Sequence, residues 1–168
     1  MLWLTPEQLD EIRAHGTQGY PDEVCGLLVG SAYPSGSRIV HAVRRARNRN
    51  RERSGDRYDL DPVDLLRAER AADRLGRAIV GVYHSHPDHP ARASETDRAS
   101  AVTVWGGGES WSYLIVSIER GVAVDARSWV LRDRVFEEEP VRLVGGPDAG
   151  RVAQEAHEGT PGPSAWAR

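Results

Sequence analysis

Ala78-Ile-Val-Gly-Val-Tyr-His-Ser-His-Pro87 is an apolar run that ends in two histidines one residue apart and then a proline. Six residues from Ala78 to Tyr83 with no charge read as a strand buried on both faces. In a strand, residues i and i+2 project to the same side, so His84 and His86 point together while Ser85 points away. Two neutral imidazoles on one face can grip a single metal ion. Pro87 is expected to end the strand and turn the chain outward.

Downstream, a loop containing Pro90 leads to Ser94, which has the form of a helix N-cap with Asp97 in the first turn. A loop of this length can bring the helix start back over the strand end. Two His and one Asp then surround a tetrahedral ion whose fourth position is open to water, the arrangement expected of catalytic zinc. The water's proton needs a carboxylate to accept it. Glu23, just before the apolar run Val24 to Gly30, is the candidate, with Asp22 as competitor. Ser94 is the candidate donor to a developing oxyanion, sharing that duty with the metal. Each feature alone has an ordinary explanation: packing for His-x-His, helix capping for Ser94-x-x-Asp97, a surface turn for Glu23. Their joint occurrence is far more specific.

Working outward, Thr5-Pro-Glu-Gln8 has the form of a capping box with proline at the first helical position, and Gly16 or Gly19 could end that helix. Val24 to Gly30 and Arg38 to Val43 read as strands. Asp61-Pro62 opens a helix whose apolar positions include Leu66, Ala71 and Leu75, stopped by Gly76. Ser94 begins a helix toward Val104. Tyr113 to Ile118 and Val122 to Leu131 flank Glu119-Arg-Gly121 as a hairpin, and Val135 to Val144 supplies a last strand. The expectation is an α/β fold, a mixed sheet flanked by helices in layers. From about Gly145 the chain becomes Gly, Pro, Ala and charge, which predicts a flexible tail over 145–168.

At 168 residues the chain suits one domain with a real core. A formal net charge of −3 argues against wholesale binding of nucleic acid. No apolar run is long enough to span a bilayer, and the N-terminus lacks the features of a signal peptide. With one cysteine there can be no internal disulfide, which suits a reducing compartment and gives cytoplasm as the expected location. All 22 basic residues are arginine, so no lysine side chain here can accept a protein tag.

Glu23, His84-Ser-His-Pro87 and Ser94-x-x-Asp97, with ten residues between His86 and Asp97, resemble the full signature of the JAMM (MPN-type) zinc metallopeptidases. Pro21 to Gly30 is similar to that family's first strand, which favours Glu23 over Asp22 as base. Asn48 onward to Tyr58-Asp-Leu-Asp-Pro62 is similar to its connection into the second helix. The similarity covers roughly residues 5 to 136. It implies an MPN domain over 1–140, layered like a cytidine deaminase. It also implies zinc on His84, His86 and Asp97, base chemistry on Glu23 and oxyanion support from Ser94. None of these positions departs from the signature, so the chain is expected to be an active hydrolase. The compact length resembles short bacterial members that process ubiquitin-like sulfur carriers ending in Gly-Gly and release cysteine in cysteine biosynthesis. Two alternatives remain: a deubiquitinase-like isopeptidase removing ubiquitin-like tags, and a non-catalytic scaffold with structural zinc.

Other features read more plainly. Cys25 sits in an apolar strand, where a thiol is inert packing. His89 is a loop histidine near the metal ligands. The seven arginines of 44–57 are interspersed with Glu52 and Asp56 and read as a solvated loop, a docking site only if the partner is acidic. Trp105-Gly-Gly-Gly108 reads as a plain linker. Leu143-Val-Gly-Gly146 looks like a carrier's terminus but is internal, a coincidence in a flexible segment.

Overall fold

A computed structural model describes residues 1–103 and 110–145. The predicted Gly-rich linker at 105–108 and the tail beyond Gly145 lie outside the described residues. Among the described residues, eight strands and three helices follow in the order β1 (Leu2–Leu4), α1 (Pro6–Gly19), β2 (Cys25–Ala32), β3 (Arg38–Ala46), α2 (Pro62–Asp73), β4 (Ala78–Pro87), α3 (Glu95–Thr103), β5 (Ser112–Glu119), β6 (Val122–Arg132), β7 (Val135–Glu139) and β8 (Val141–Leu143). They form one mixed sheet ordered β7-β6-β5-β4-β2-β3-β1-β8. The expected mixed sheet flanked by helices is the fold. Among the described residues no helix is long and apolar enough to cross a membrane.

Local chemistry explains most boundaries. Thr5 accepts from the Gln8 amide while the Gln8 side chain accepts from the Thr5 amide, a complete capping box with Pro6 at N1. Asp61 caps α2 by accepting from Val63, and Gly76 at φ 62° takes the left-handed turn beyond its end. The β5–β6 hairpin turns on Arg120 and Gly121, both at positive φ, the geometry that suits a two-residue connection.

Several expectations are corrected. β3 runs on to Ala46, because it pairs with β2 along its whole length. In α2 the inward face is Ala68 and Ala72 with Leu65 partly buried, whereas Leu66 is 46% exposed and Leu75, beyond the helix end at Asp73, is 70% exposed. The helix has rotated so that small residues meet the sheet. β4 ends at Pro87, as expected. The single last strand is two strands broken at Pro140, which cannot donate to a ladder. β7 and β8 lie on opposite edges of the sheet. One residue therefore joins the two edges, and the sheet must curl. Arg38 crosses this join, donating to the Ser110 carbonyl at 2.5 Å and pairing with the buried Glu139 at 3.4 Å. Leu143 belongs to β8 and Val144 donates to the Leu4 carbonyl, so this part of the Gly-Gly-like motif is held to the sheet; Gly146 lies outside the described residues.

Two cores flank the sheet. Leu9 and Ile12 of α1 pack with Leu28, Val80, Tyr83, Leu114 and Val116 on one face. Ala68 and Ala72 of α2 and Ala101 of α3 pack with Cys25, Leu27, Val82 and Tyr113 on the other. Between β2 and β4 the register slips: Leu28 pairs with Gly81 but Val29 with Ile79. Val80 is the unpaired residue of this bulge, and beyond it the alternation of β4 is reset. Val82, His84 and His86 consequently look toward α2 and α3. Gly26, beside Cys25, is needed because a Cβ there would lie 2.3 Å from the Tyr83 ring.

Candidate metal centre

His84 and His86 project from an interior strand, bounded by β2 on one side and β5 on the other. Both are buried, and their Nε2 atoms lie 3.0 Å apart. Asp97, in the first turn of α3, places Oδ1 3.1 Å from His84 Nε2 and Oδ2 3.5 Å from His86 Nε2. Ligands about 2.0–2.1 Å from a tetrahedral zinc stand about 3.3 Å from each other. The three observed separations bracket that value, so the donor set fits a divalent cation of this kind.

The surroundings prepare these groups as ligands. His86 Nδ1 donates to the Pro90 carbonyl at 2.9 Å, which leaves the Nε2 lone pair facing the centre. Burial holds His84 below the ordinary imidazole range, in the neutral form that binds metal. For His86 burial opposes charging, but the hydrogen bond and charge of Asp97 and the Pro90 carbonyl outweigh it and raise its pKa. Burial also works against the Asp97 anion. Attraction to His84 and hydrogen bonds from His84, His86 and Ser94 overcome it and hold the carboxyl far below the usual carboxylate range. The Tyr58 ring stacks on His84 with centroids 4.5 Å apart and planes at 27°. His84 Nδ1 has no hydrogen-bond partner among the described residues, so stacking on Tyr58 joins the contact between Nε2 and Asp97 in holding that ring.

Ser94 turns out to be a cap and a neighbour of the site at once. Its amide and hydroxyl donate to Asp97 Oδ2 at 2.7 and 2.6 Å, and its hydroxyl accepts from the Asp97 amide at 3.1 Å. The capping interpretation and the ligand interpretation of Ser94-x-x-Asp97 therefore hold together geometrically: one oxygen serves the helix, the other turns toward His84.

Glu23 stands two residues before Cys25, which pairs with His84. The Ser85 amide donates to the Val24 carbonyl and the Val24 amide donates to Ser85 Oγ, both at 3.0 Å. This continuation of the ladder sets Glu23 beside His86 and on the same face. Its side chain is only 6% exposed. Burial pushes its carboxyl up to about 8; His86 opposes that shift, and Asp97 and Asp56 add to it. A cleft of about 400 Å³ opens here, lined by Glu23, Asp56, His86, His89, Arg92 and Ser94 among others. Asp22, the competing base, instead accepts from the Ser54 hydroxyl on the exposed side of the turn. Cys25 is fully buried and its thiol is pushed up to about 12 by burial first, then by Glu23. It is packing.

Sequence reasoning assigned no role to Tyr58 or Asn48. Asn48 Nδ2 donates to the Glu23 carbonyl at 3.0 Å and to the Arg57 carbonyl at 3.1 Å, while its Oδ1 accepts from the amides of Asn50 and Asp59. It ties the arginine-rich loop to the segment before β2 that carries Glu23. The only signal was their place in the segment leading to α2.

Residues 5–132 match the family described as prokaryotic homologs of the JAB domain. A CysO-cysteine peptidase of Mycobacterium tuberculosis is 31% identical over 144 residues, covering 86% of this chain and 92% of that protein. A desampylase of Haloferax volcanii is 36% identical over 120 residues, covering 69% and 80%. Among solved structures, a protein from Desulfitobacterium hafniense superposes with a TM-score of 0.72 at 32% identity, covering 87% of this chain and 94% of that one. A match that spans most of the chain, together with these likenesses, means that the protein belongs to the prokaryotic JAB-domain family, the JAMM (MPN-type) fold.

Proposed function

We propose that the protein is a zinc-dependent peptidase that hydrolyses the bond after the C-terminal Gly-Gly of a ubiquitin-like sulfur carrier, releasing cysteine. The observation that carries this reading is the convergence of His84, His86 and Asp97 beside a buried glutamate, at the edge of an open cleft that Glu23 and His86 line. The names of the relatives supply the substrate class: a CysO-cysteine peptidase, a desampylase, and a probable TtuB-protein conjugate cleaving protease of Thermus thermophilus.

His84, His86 and Asp97 would hold the zinc. When bound, zinc lowers the pKa of water toward about 7 and polarises the acyl oxygen. Glu23 takes the proton of the attacking water on its carboxylate and returns it to the leaving amine. Its burial keeps bulk water from competing for that proton. Ser94 supplies a hydroxyl to the developing oxyanion, for which its proton must leave Asp97 Oδ2. Tyr58 keeps the His84 ring in plane. A tail of two glycines, free of side chains, suits a narrow approach to the cleft.

The isopeptidase reading is favoured by the desampylase likeness. A scaffold role is disfavoured, since holding metal requires no glutamate buried beside it. Zinc content and hydrolysis of a carrier–cysteine adduct, measured for the wild type and Glu23→Gln, test the proposal. We expect about one zinc per chain in both proteins and a loss of at least about a hundredfold in kcat in the variant. Undiminished turnover in Glu23→Gln, or a zinc-loaded wild type that cleaves no carrier adduct, would overturn it.

A further inference from the structure

The cleft beside the metal ligands holds one arginine among its described lining residues, Arg92. Its side chain is exposed, and among the described residues its guanidinium makes no hydrogen bond or ion pair. The two acids nearest in the chain are already engaged. Asp88 accepts from the Tyr20 hydroxyl and the Arg120 amide, both at 2.8 Å, and Glu95 pairs with Arg98.

The loop that carries Arg92 is pinned at every residue before it. The Asp88 amide donates to the Ile118 carbonyl. The His89 carbonyl accepts from Ser117 Oγ at 2.7 Å, the Pro90 carbonyl from His86 Nδ1, and the Ala91 carbonyl from Trp129 Nε1 at 3.1 Å. Ala91 is fully buried, and the Arg92 amide donates back to the Pro90 carbonyl at 2.7 Å. An unpaired fork of N–H donors is thus held on a rigid base, in the same cleft as Glu23 and His86. Such a fork is complementary to a carboxylate.

The chemistry of the leaving group decides which carboxylate can reach it. In an amino acid joined through its α-amine, the free carboxylate carbon lies about 2.5 Å from the scissile nitrogen. In a lysine isopeptide a four-carbon stem follows that nitrogen, and no anion is built into the leaving group nearby. We infer that Arg92 recognises the free α-carboxylate of a single amino acid attached to the carrier's C-terminus. The protein is then a carrier–amino-acid peptidase in preference to an isopeptidase. The inference rests on the function proposed above and specifies its substrate.

Three conjugates of one carrier test it: carrier–cysteine, carrier–cysteine amide and carrier linked to a peptide lysine Nε. Wild-type enzyme should favour the free acid over the amide by about tenfold to a hundredfold in kcat/KM. In Arg92→Gln this ratio should fall close to one. Arg92→Lys, which keeps charge but not the fork, should give an intermediate ratio. The same preference should appear in the calorimetric affinity of zinc-loaded Glu23→Gln for the uncleaved acid and amide, and be lost in Glu23→Gln/Arg92→Gln. A wild-type ratio near one, a ratio unchanged in Arg92→Gln, or faster cleavage of the lysine conjugate overturns the role of Arg92. If no conjugate is hydrolysed the peptidase reading fails, and the binding comparison still decides what Arg92 recognises.

Discussion

Asp97 closes a helix cap with one oxygen and turns the other toward His84, so its neighbours act on both stability and chemistry. Ser94→Ala should remove an N-cap at a cost of about 1 kcal/mol, read as a lower thermal midpoint. It should also reduce kcat by about a hundredfold, if the hydroxyl serves the oxyanion as proposed. Ser94→Thr, which keeps the hydroxyl, should restore most of the midpoint. Tyr58→Leu keeps an apolar side chain but removes the ring that stacks on His84. Zinc affinity should weaken by about tenfold, measured by competition with a chelator. The convergence of His84, His86 and Asp97 was legible in the sequence because its signals are local, period-two alternation and a capping pattern; Glu23 was told from Asp22 only by the family resemblance. Tyr58 and Asn48 were not legible, because each acts on a residue far away in the chain, and nothing local distinguishes a stacking tyrosine from a loop tyrosine.

At the scale of elements, capping chemistry was legible to within a residue or so, as the Thr5 box and the Asp61 cap show. The facing of elements was less so. The outward turn of Leu66 depends on the space between α2 and the sheet, which admits Ala68 and Ala72. The bulge at Val80 has no marker in a run that is apolar throughout. The packing of α1 on β4 yields a pH prediction. His15 Nδ1 lies 2.9 Å from the Tyr83 hydroxyl. Burial, and then Arg45, lower the His15 pKa from its ordinary value to about 4. In the unfolded chain the same imidazole titrates near 6.5. The folded pKa is the depressed one, so His15 contributes its full stability above about pH 6.5. That contribution falls as the pH drops and is exhausted below about 4, where both states bind the proton. Between pH 7 and 5 the urea midpoint of His15→Gln should therefore decline less than that of the wild type. Equal declines would remove His15 from the account.

At the scale of the molecule, the layered α/β class followed from alternating strand and helix patterns, but strand order did not. Val135 to Val144 reads as one continuous strand; only Pro140 hints at a break, and no local rule says that the halves part to opposite borders. That single proline has a mechanical consequence. The sheet resembles a hoop fastened by one short link, with Arg38 and Glu139 riveted across the gap. Slack at the link should let the hoop spring open without disturbing the candidate metal site, whose histidines lie on the interior strand β4 and whose aspartate lies on α3. Inserting four Gly-Ser residues after Pro140 should lower the thermal midpoint and loosen β1 and β8, seen as faster amide exchange there, while zinc binding persists. Unaltered exchange in those strands would mean that the hoop holds its curvature without the fastening.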